Sequence, residues 1–330
     1  MPRHTDGPDD GAASHNRTTE VNDRVGAPVL VTGGASPVGR YVAEALSDRG
    51  ERVVSFDHAG PHTETADVAA VGELFDLARL LQVIREYRVE RIVHAAHVAD
   101  PLASIQMPVA TVVANVEGTV HLLEAARLAA LRGRIVVLSS SAVYGDHDGI
   151  VDESAALRPR TPYAVTSVTG EHLGSVYAGL FQLDVVTLRL GEVYGPQLPL
   201  PPMVQSLFAA ALTGEQFHAP AGADQIFHLT HGDDVCSAVL AALAAEAPQQ
   251  RIYNVTSGDR HSLAQIARLL GERFPHSRIE LGPGSLPGLD RPGTLDIRAA
   301  DRELSYRPRW GLARGIDDYA EWLLAQRKAA

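Results

Sequence analysis

From Pro28 the chain alternates short apolar runs with stretches of helical period: PVLVTGG, VGRYVAEALSDRG, RVVSFD, LFDLARLLQVIREY and RIVHAA. Short apolar runs bounded by turn residues read as buried strands, and apolar positions recurring at three and four residues read as amphipathic helices. Strand, helix, strand, helix, strand predicts an α/β fold with a doubly wound parallel sheet. The rhythm continues through a helix near VVANVEGTVHLLEAARLAAL, the strand GRIVVLSSS, a helix after Tyr163 and the strand DVVTLRL, which makes at least six strands. After Gly195 the segment PQLPLPPM breaks the pattern, because proline interrupts helices and ladders alike. The expected organisation is a polar tail over 1–27, a sheet domain over 28–195 and a smaller α/β lobe over 196–330, with part of 228–258 packing back on the sheet.

Composition narrows the function classes. A chain of 330 residues, 45% hydrophobic and 21% charged, suits a globular protein with a large core. The formal net charge of −11 argues against nucleic acid and anionic membrane as partners, since both polyanions need basic patches. Residues 1–27 are polar and lack the apolar centre of a signal peptide, so they read as a disordered tail, and no stretch has the length of a membrane span. The one cysteine, Cys236, forms no internal disulfide, which fits a reducing, cytoplasmic location.

The segment VLVTGGASPVGRYVAEAL places Gly33, Gly34 and Gly39, with Ser36, Pro37 and Val38 between them, where the first strand passes into the first helix. Glycines at that junction let backbone N–H groups approach a pyrophosphate, whose charge the helix N-terminus favours. The second strand ends in Asp57, suitably placed to accept hydrogen bonds from ribose hydroxyls and to repel the extra phosphate of NADP, so NAD is the expected cofactor. Asp67, in ADV, is a candidate adenine contact. The plain alternative is a solvated turn followed by a strand-end carboxylate.

Taken in order, TGGASPVG, IVHAA, NVEGT, SSSAVYG, TPYAVTS, LRLGEVYGP, HLTHGDDV, YNVTSG and DRELSYRPRWGL resemble the extended short-chain dehydrogenase/reductase family, the NAD-dependent epimerases and dehydratases of the UDP-galactose 4-epimerase kind. The resemblance runs from Val29 to Leu324 and implies a Rossmann sheet, a bound NAD and redox chemistry on a hydroxyl or keto group. It also implies roles. Gly33 to Gly39 hold the cofactor phosphates and Asp57 the ribose. Ala95, Ala96 and Asn115 line or support the nicotinamide side. Ser140 is the catalytic hydroxyl, with Ser139 and Ser141 as near competitors and Ser141 also a candidate substrate contact. Tyr163 handles the proton.

Four positions bear on what such a site would do. The family's Tyr-x-x-x-Lys lysine is Ser167, and the only lysine of the chain is Lys328. Where the family has an Asn, LRLGEVYGP carries Glu192, which would repel a diphosphate or serve as an acid or base at the sheet edge, or else pair with an arginine. Phe227 stands at the place of an Arg that clamps the diphosphate, while Arg291 matches a second arginine of the substrate site. The expected substrate is therefore a small polar metabolite, a sugar or sugar-like molecule, without a nucleotide diphosphate or with one in an altered pose.

Two classes stay open: an enzyme with an atypical site, including a nucleotide-sugar 4-epimerase, and a non-catalytic NAD(P)-binding sensor or partner protein. The pairs His94/His97 and His228/His231 lack partners at metal-site spacing, and a strand puts residues three apart on opposite faces, so no metal is expected. No Gly-x-Ser-x-Gly elbow supports a serine hydrolase. Apolar stripes on the helices over 116–131 and 163–181 match those that pair family members into homodimers, and fit ordinary core faces equally well.

Overall fold

The computed structural model describes residues 27–59 and 66–329, so the expected tail lies outside it except for Ala27. Seven parallel strands form the main sheet: β1 (Val29–Thr32), β2 (Val53–Asp57), β3 (Val68–Val71), β4 (Arg91–His94), β5 (Ile135–Ser140), β6 (Val185–Leu190) and β7 (Ile252–Val255). Their spatial order is β7-β6-β5-β4-β1-β2-β3. The chain winds outward in both directions from β1, so its connections part between β1 and β4 and leave a crevice at the carboxyl edge.

Both faces of the sheet are covered, which is why the strands read as continuous apolar runs. Val29, Val31, Val93 and Val136 pack on one face against Val42 and Leu46 of the Pro37–Asp48 helix and Val235 and Val239 of the Gly232–Ala244 helix. Leu30, Val54, Ile92 and Val137 pack on the other against Leu80 and Val83 of the Leu77–Glu86 helix and Leu122 and Leu123 of the Gly118–Leu128 helix. Beyond Gly195 a third core gathers Val204, Leu207, Phe208, Ile266 and Tyr319. The chain returns to the sheet in between: Leu229–His231 pairs with Glu192–Tyr194, and β7 adds the outer strand.

Two local features set up the crevice. The expected helix near residue 112 is broken by a π turn over Val113–Glu117, a distortion that often marks functional positions. It carries Asn115, whose Oδ1 accepts from Val98 N at 2.8 Å and whose Nδ2 donates to Thr166 Oγ1 at 3.0 Å. The Pro162–Phe181 helix starts where it does because Thr161 Oγ1 caps Ala164 N at 3.1 Å and Pro162 fills the first helical position. Tyr163 is thereby held in the first turn.

Beside the outer strand of the sheet the fold buries an ion pair. Arg189 of β6 donates from Nη2 to Glu171 Oε2 at 2.6 Å and from Nε to Oε1 at 2.9 Å, and the two side chains are 3% and 1% exposed. Glu171 also accepts from Ser139 Oγ at 2.6 Å, and Arg189 Nη1 donates to Tyr144 Oη at 2.7 Å. Tyr144 passes the connection to Asn254 Oδ1 on β7, and Asn254 Nδ2 reaches Val151 O and Asp296 O. Removing one charge leaves the other buried without a counter-charge, a loss of about 3–5 kcal/mol. Glu171→Gln is therefore expected to lower unfolding stability by about that amount, read from denaturant midpoints, whereas Glu124→Gln in the surface pair with Arg127 changes it by less than about 1 kcal/mol.

Candidate active site

The turn after β1 leaves no room for side chains. Gly33 has φ +72°, and a Cβ there would lie 2.6 Å from Ala96 Cα, while one on Gly39 would lie 2.1 Å from Gly33 O. The loop is thus clamped between the end of β4 and the first helix. Ser36 sits between them in ordinary extended backbone, and its hydroxyl is spent internally, donating to Gly33 O at 2.6 Å and accepting from Gly39 N at 3.1 Å. Its expected phosphate contact is thus replaced by a helix cap. Pro37 has no N–H, and Val38 N finds no acceptor among the described residues, which leaves a backbone donor for an anion at the helix start.

Asp57 closes the loop from the neighbouring strand. One carboxylate oxygen accepts from Ala35 N at 3.0 Å and the other from Ala59 N at 3.1 Å. Asp67 is placed differently from the sequence expectation. It precedes β3, and its carboxylate accepts from Val53 N at 2.8 Å at the start of β2, so it stands at the amino edge of the sheet, opposite the crevice. The acid that follows β3 at the carboxyl edge is Glu73. Asp67 falls short of that role because it precedes the strand Val68–Val71.

Tyr163 faces Ser140 and Ser167. Burial pushes its phenol up, the two hydroxyls pull it down, the charge of Glu192 raises it again, and the net result is a phenol harder to ionise than usual. No cationic side chain among the described residues acts on it. Ser167 Oγ donates its single proton to Tyr163 O at 3.0 Å, one turn back on its own helix. Ser140 Oγ accepts from Ala142 N at 3.1 Å, and its hydroxyl also acts on the Tyr163 phenol. Ser139 is committed to Glu171. Ser104, missed in the sequence, accepts from Tyr163 N at 3.2 Å and is fully buried. Ala95 is buried in the sheet core, and Asn115 braces the loop after β4 from below, so neither lines the crevice with an open polar group.

On the lobe side, Glu192 Oε2 accepts from His228 N at 2.7 Å and makes no ion pair among the described residues, contrary to the arginine pairing considered above. Its charge also acts on Asp290, whose carboxyl is raised by burial, lowered by Arg160 and raised by Asp146 and Glu192. Phe227 is 5% exposed in the lobe core, where it packs with Leu229 and Leu263 and presents no surface to a substrate. Arg291 has 74% of its side chain in solvent, with Nη2 3.9 Å from Asp146, so it stands at the rim. Ser141 opens the turn beneath Tyr144 and makes no side-chain hydrogen bond among the described residues. Since β4 ends at His94, the chain turns and brings the His97 ring to 5.1 Å from that of His94, against the opposite-face expectation. His228 Nε2 meets Gly293 O at 2.7 Å instead of His231.

This layout has counterparts. Residues 29–256 match the NAD dependent epimerase/dehydratase family. The chain belongs to that family. UDP-glucuronate 4-epimerase 2 of Arabidopsis thaliana is 28% identical to it over 94% of the chain and 79% of that protein. UDP-glucose 4-epimerase of Mycolicibacterium smegmatis is 29% identical over 89% of the chain and 97% of that protein. Among solved structures, MoeE5 in complex with UDP-glucuronic acid and NAD superposes with a TM-score of 0.82 at 29% identity, covering 92% of the chain and all of MoeE5.

Membership makes the chain an NAD-dependent enzyme of the short-chain dehydrogenase/reductase type, and the crevice suits that cofactor. The open Val38 N–H and the Asp57 carboxylate flank a turn kept tight by Gly33 and Gly39, where any Cβ would run into Ala96 or Gly33 O. When bound, NAD supplies a hydride acceptor and, once reduced, a hydride donor. Glu171 and Arg189 escaped notice in the sequence, although the signals were present: an arginine inside an apolar strand, and an acid eight residues after Tyr163 on one helix face. An ammonium in place of Ser167 should lower the Tyr163 pKa. In ring-labelled NMR titrations assigned with Tyr163→Phe, the Tyr163 signal is expected to titrate above the ordinary tyrosine range in the parent, and Ser167→Lys to move its titration to lower pH.

Proposed function

We propose that this member of the family reduces a keto group on a small polar metabolite, a sugar or sugar-like molecule without a nucleotide diphosphate, with Tyr163 as the proton donor. The phenol's environment carries this reading. A tyrosine held neutral is a poor base and a serviceable acid. In the reduction, Ser140 donates a hydrogen bond to the carbonyl oxygen, and the Tyr163 O–H bond breaks to deliver its proton there as hydride arrives at the carbon. The reverse oxidation asks the same phenol to be ionised beforehand, which its surroundings oppose.

The substrate side supports the absence of a diphosphate. Phe227 supplies neither charge nor open surface, and Glu192 adds a carboxylate beside Tyr163. The named relatives act on UDP-sugars, so UDP-glucose and UDP-glucuronic acid belong in the test. Purified protein is incubated with NADH or NADPH and a panel of ketoses, keto-polyols and the two UDP-sugars. Turnover is expected with NADH and a nucleotide-free ketone, and Tyr163→Phe should lower it by about 10²–10⁴-fold. UDP-sugar turnover above that of every nucleotide-free ketone overturns the substrate reading. Tight NADH binding without turnover of any compound, with turnover appearing in Ser167→Lys, makes the protein a non-catalytic binder.

A homodimer follows from exposed apolar positions. Val165, Val176 and Leu180 lie along one stripe of the Pro162–Phe181 helix at 49%, 49% and 70% exposure, and Ile105, Met107 and Val109 continue the apolar surface at 56%, 53% and 76%. Patches of this kind mark association surfaces more often than free surface. Sedimentation is expected to give twice the chain mass, and Val176→Glu with Leu180→Glu to give monomer.

A further inference from the structure

Most polar side chains packed around the ends of β1 and β4 are committed to one another. Thr119 Oγ1 donates to Asn115 O at 2.5 Å, so it must accept from His94 Nε2–H at 2.9 Å. That leaves His94 Nδ1 as the acceptor for Thr32 Oγ1 at 2.7 Å. Both nitrogens of His94 are used, and the tautomer is fixed. Asn115 is spent on Val98 and Thr166, and Ser167 on Tyr163 O.

His97 stands out against this background. Its ring is half-buried against His94, with no hydrogen-bond partner among the described residues. The backbone on either side is pinned. Ala96 packs on Gly33 of the phosphate loop, and Val98 is held by Asn115 through N at 2.8 Å and O at 3.4 Å. The residue is thus held one position from the clamp on the phosphate loop, with its ring against that of His94. Polar groups that are partly withdrawn from water and left unmatched are the exception in folded proteins, and binding sites are where the exception is useful.

We propose that His97 is a cofactor-positioning residue, its imidazole hydrogen-bonded to an oxygen of the ribose–diphosphate chain of NAD. This rests on the dinucleotide lying in the crevice, and it answers the question raised by Ser167, whose one proton is taken and which cannot hold a ribose as a lysine would. Burial holds the His97 pKa at about 4, so at neutral pH the ring offers one donor and one acceptor, a match for a ribose hydroxyl and, through the donor alone, for a phosphate.

The test measures binding rather than turnover. Affinities of NADH, ADP-ribose, ADP and AMP are compared by calorimetry for the parent, His97→Ala and His97→Gln, and the ring ¹⁵N signals of His97 are followed on titration with NADH. Loss of one hydrogen bond predicts NADH binding about three- to tenfold weaker in His97→Ala, with partial recovery in His97→Gln, unchanged apo melting temperatures and a shifted His97 ring signal in the parent. Weakening of NADH and ADP-ribose alone assigns the second ribose, and weakening that extends to ADP but not AMP assigns the diphosphate; both support the proposal. Parent-like NADH affinity in both variants, or a His97 ring signal that NADH leaves unmoved, overturns it. A parent protein that binds no NADH instead removes the cofactor reading beneath it.

Discussion

The ion pair between Arg189 and Glu171 holds three parts of the molecule to one geometry. Arg189 belongs to the strand beside β5, Glu171 to the helix that carries Tyr163, and Ser139 to the residue before the catalytic-serine position. Two buried charges and their hydrogen bonds have only one satisfactory arrangement, because any slip of helix against strand leaves a desolvated ion unpaired. Tyr163 and Glu171 are separated by about two helical turns, so fixing one fixes the other along the axis. Through Tyr144 and Asn254 the same network reaches β7 and the short strand at Val151, which ties the outer strand and the Val151–Asp296 region to the serine–tyrosine pair.

Above this frame the crevice is asymmetric. Its adenosine end follows familiar physics: a glycine clamp, a capped helix and a strand-end carboxylate already tied to the loop backbone. Around Tyr163 the polar groups are mostly satisfied by their neighbours, and under the proposed function neutral groups carry what the family does with a lysine. That exchange has a direction. Neutral donors can position a ligand, but they cannot stabilise an anion as a nearby cation does.

Much of the fold was legible in the chain because a parallel sheet covered on both faces writes itself as apolar runs of strand length, and the runs at Val29, Val53, Arg91, Ile135 and Val185 each became a strand. That Asp57 and Ser140 end strands and Tyr163 opens a helix was legible because their spacing to the surrounding glycines and apolar runs is fixed by backbone geometry. Asp67 was not, since one apolar run cannot show whether a flanking acid begins or ends it. Glu171, Ser104 and Asn254 were hidden for a different reason: their roles depend on contacts between elements distant in the chain, and no periodicity records those. Phe227 shows the limit of positional matching, because its side chain packs in the lobe core, where burial of an aromatic ring is favoured.

The size of the missing interaction shows why acid chemistry fits this site better than base chemistry. An ammonium about 4 Å from a phenolate is worth about 4 kcal/mol at an effective dielectric of about 20, or about three pKa units. A hydrogen bond from a serine hydroxyl to a charged group returns about 1.5–3 kcal/mol before desolvation is counted. Here Ser140 and Ser167 together fail to offset burial, since the phenol ends above its ordinary value. Starting from about 10, fewer than about one tyrosine in a thousand is ionised at pH 7, and Glu192 beside it lowers that fraction further. Proton donation draws on the other, fully populated form. A site that has lost its cation and gained a carboxylate has therefore lost most of its power to begin with an alcohol, and little of its power to finish with one.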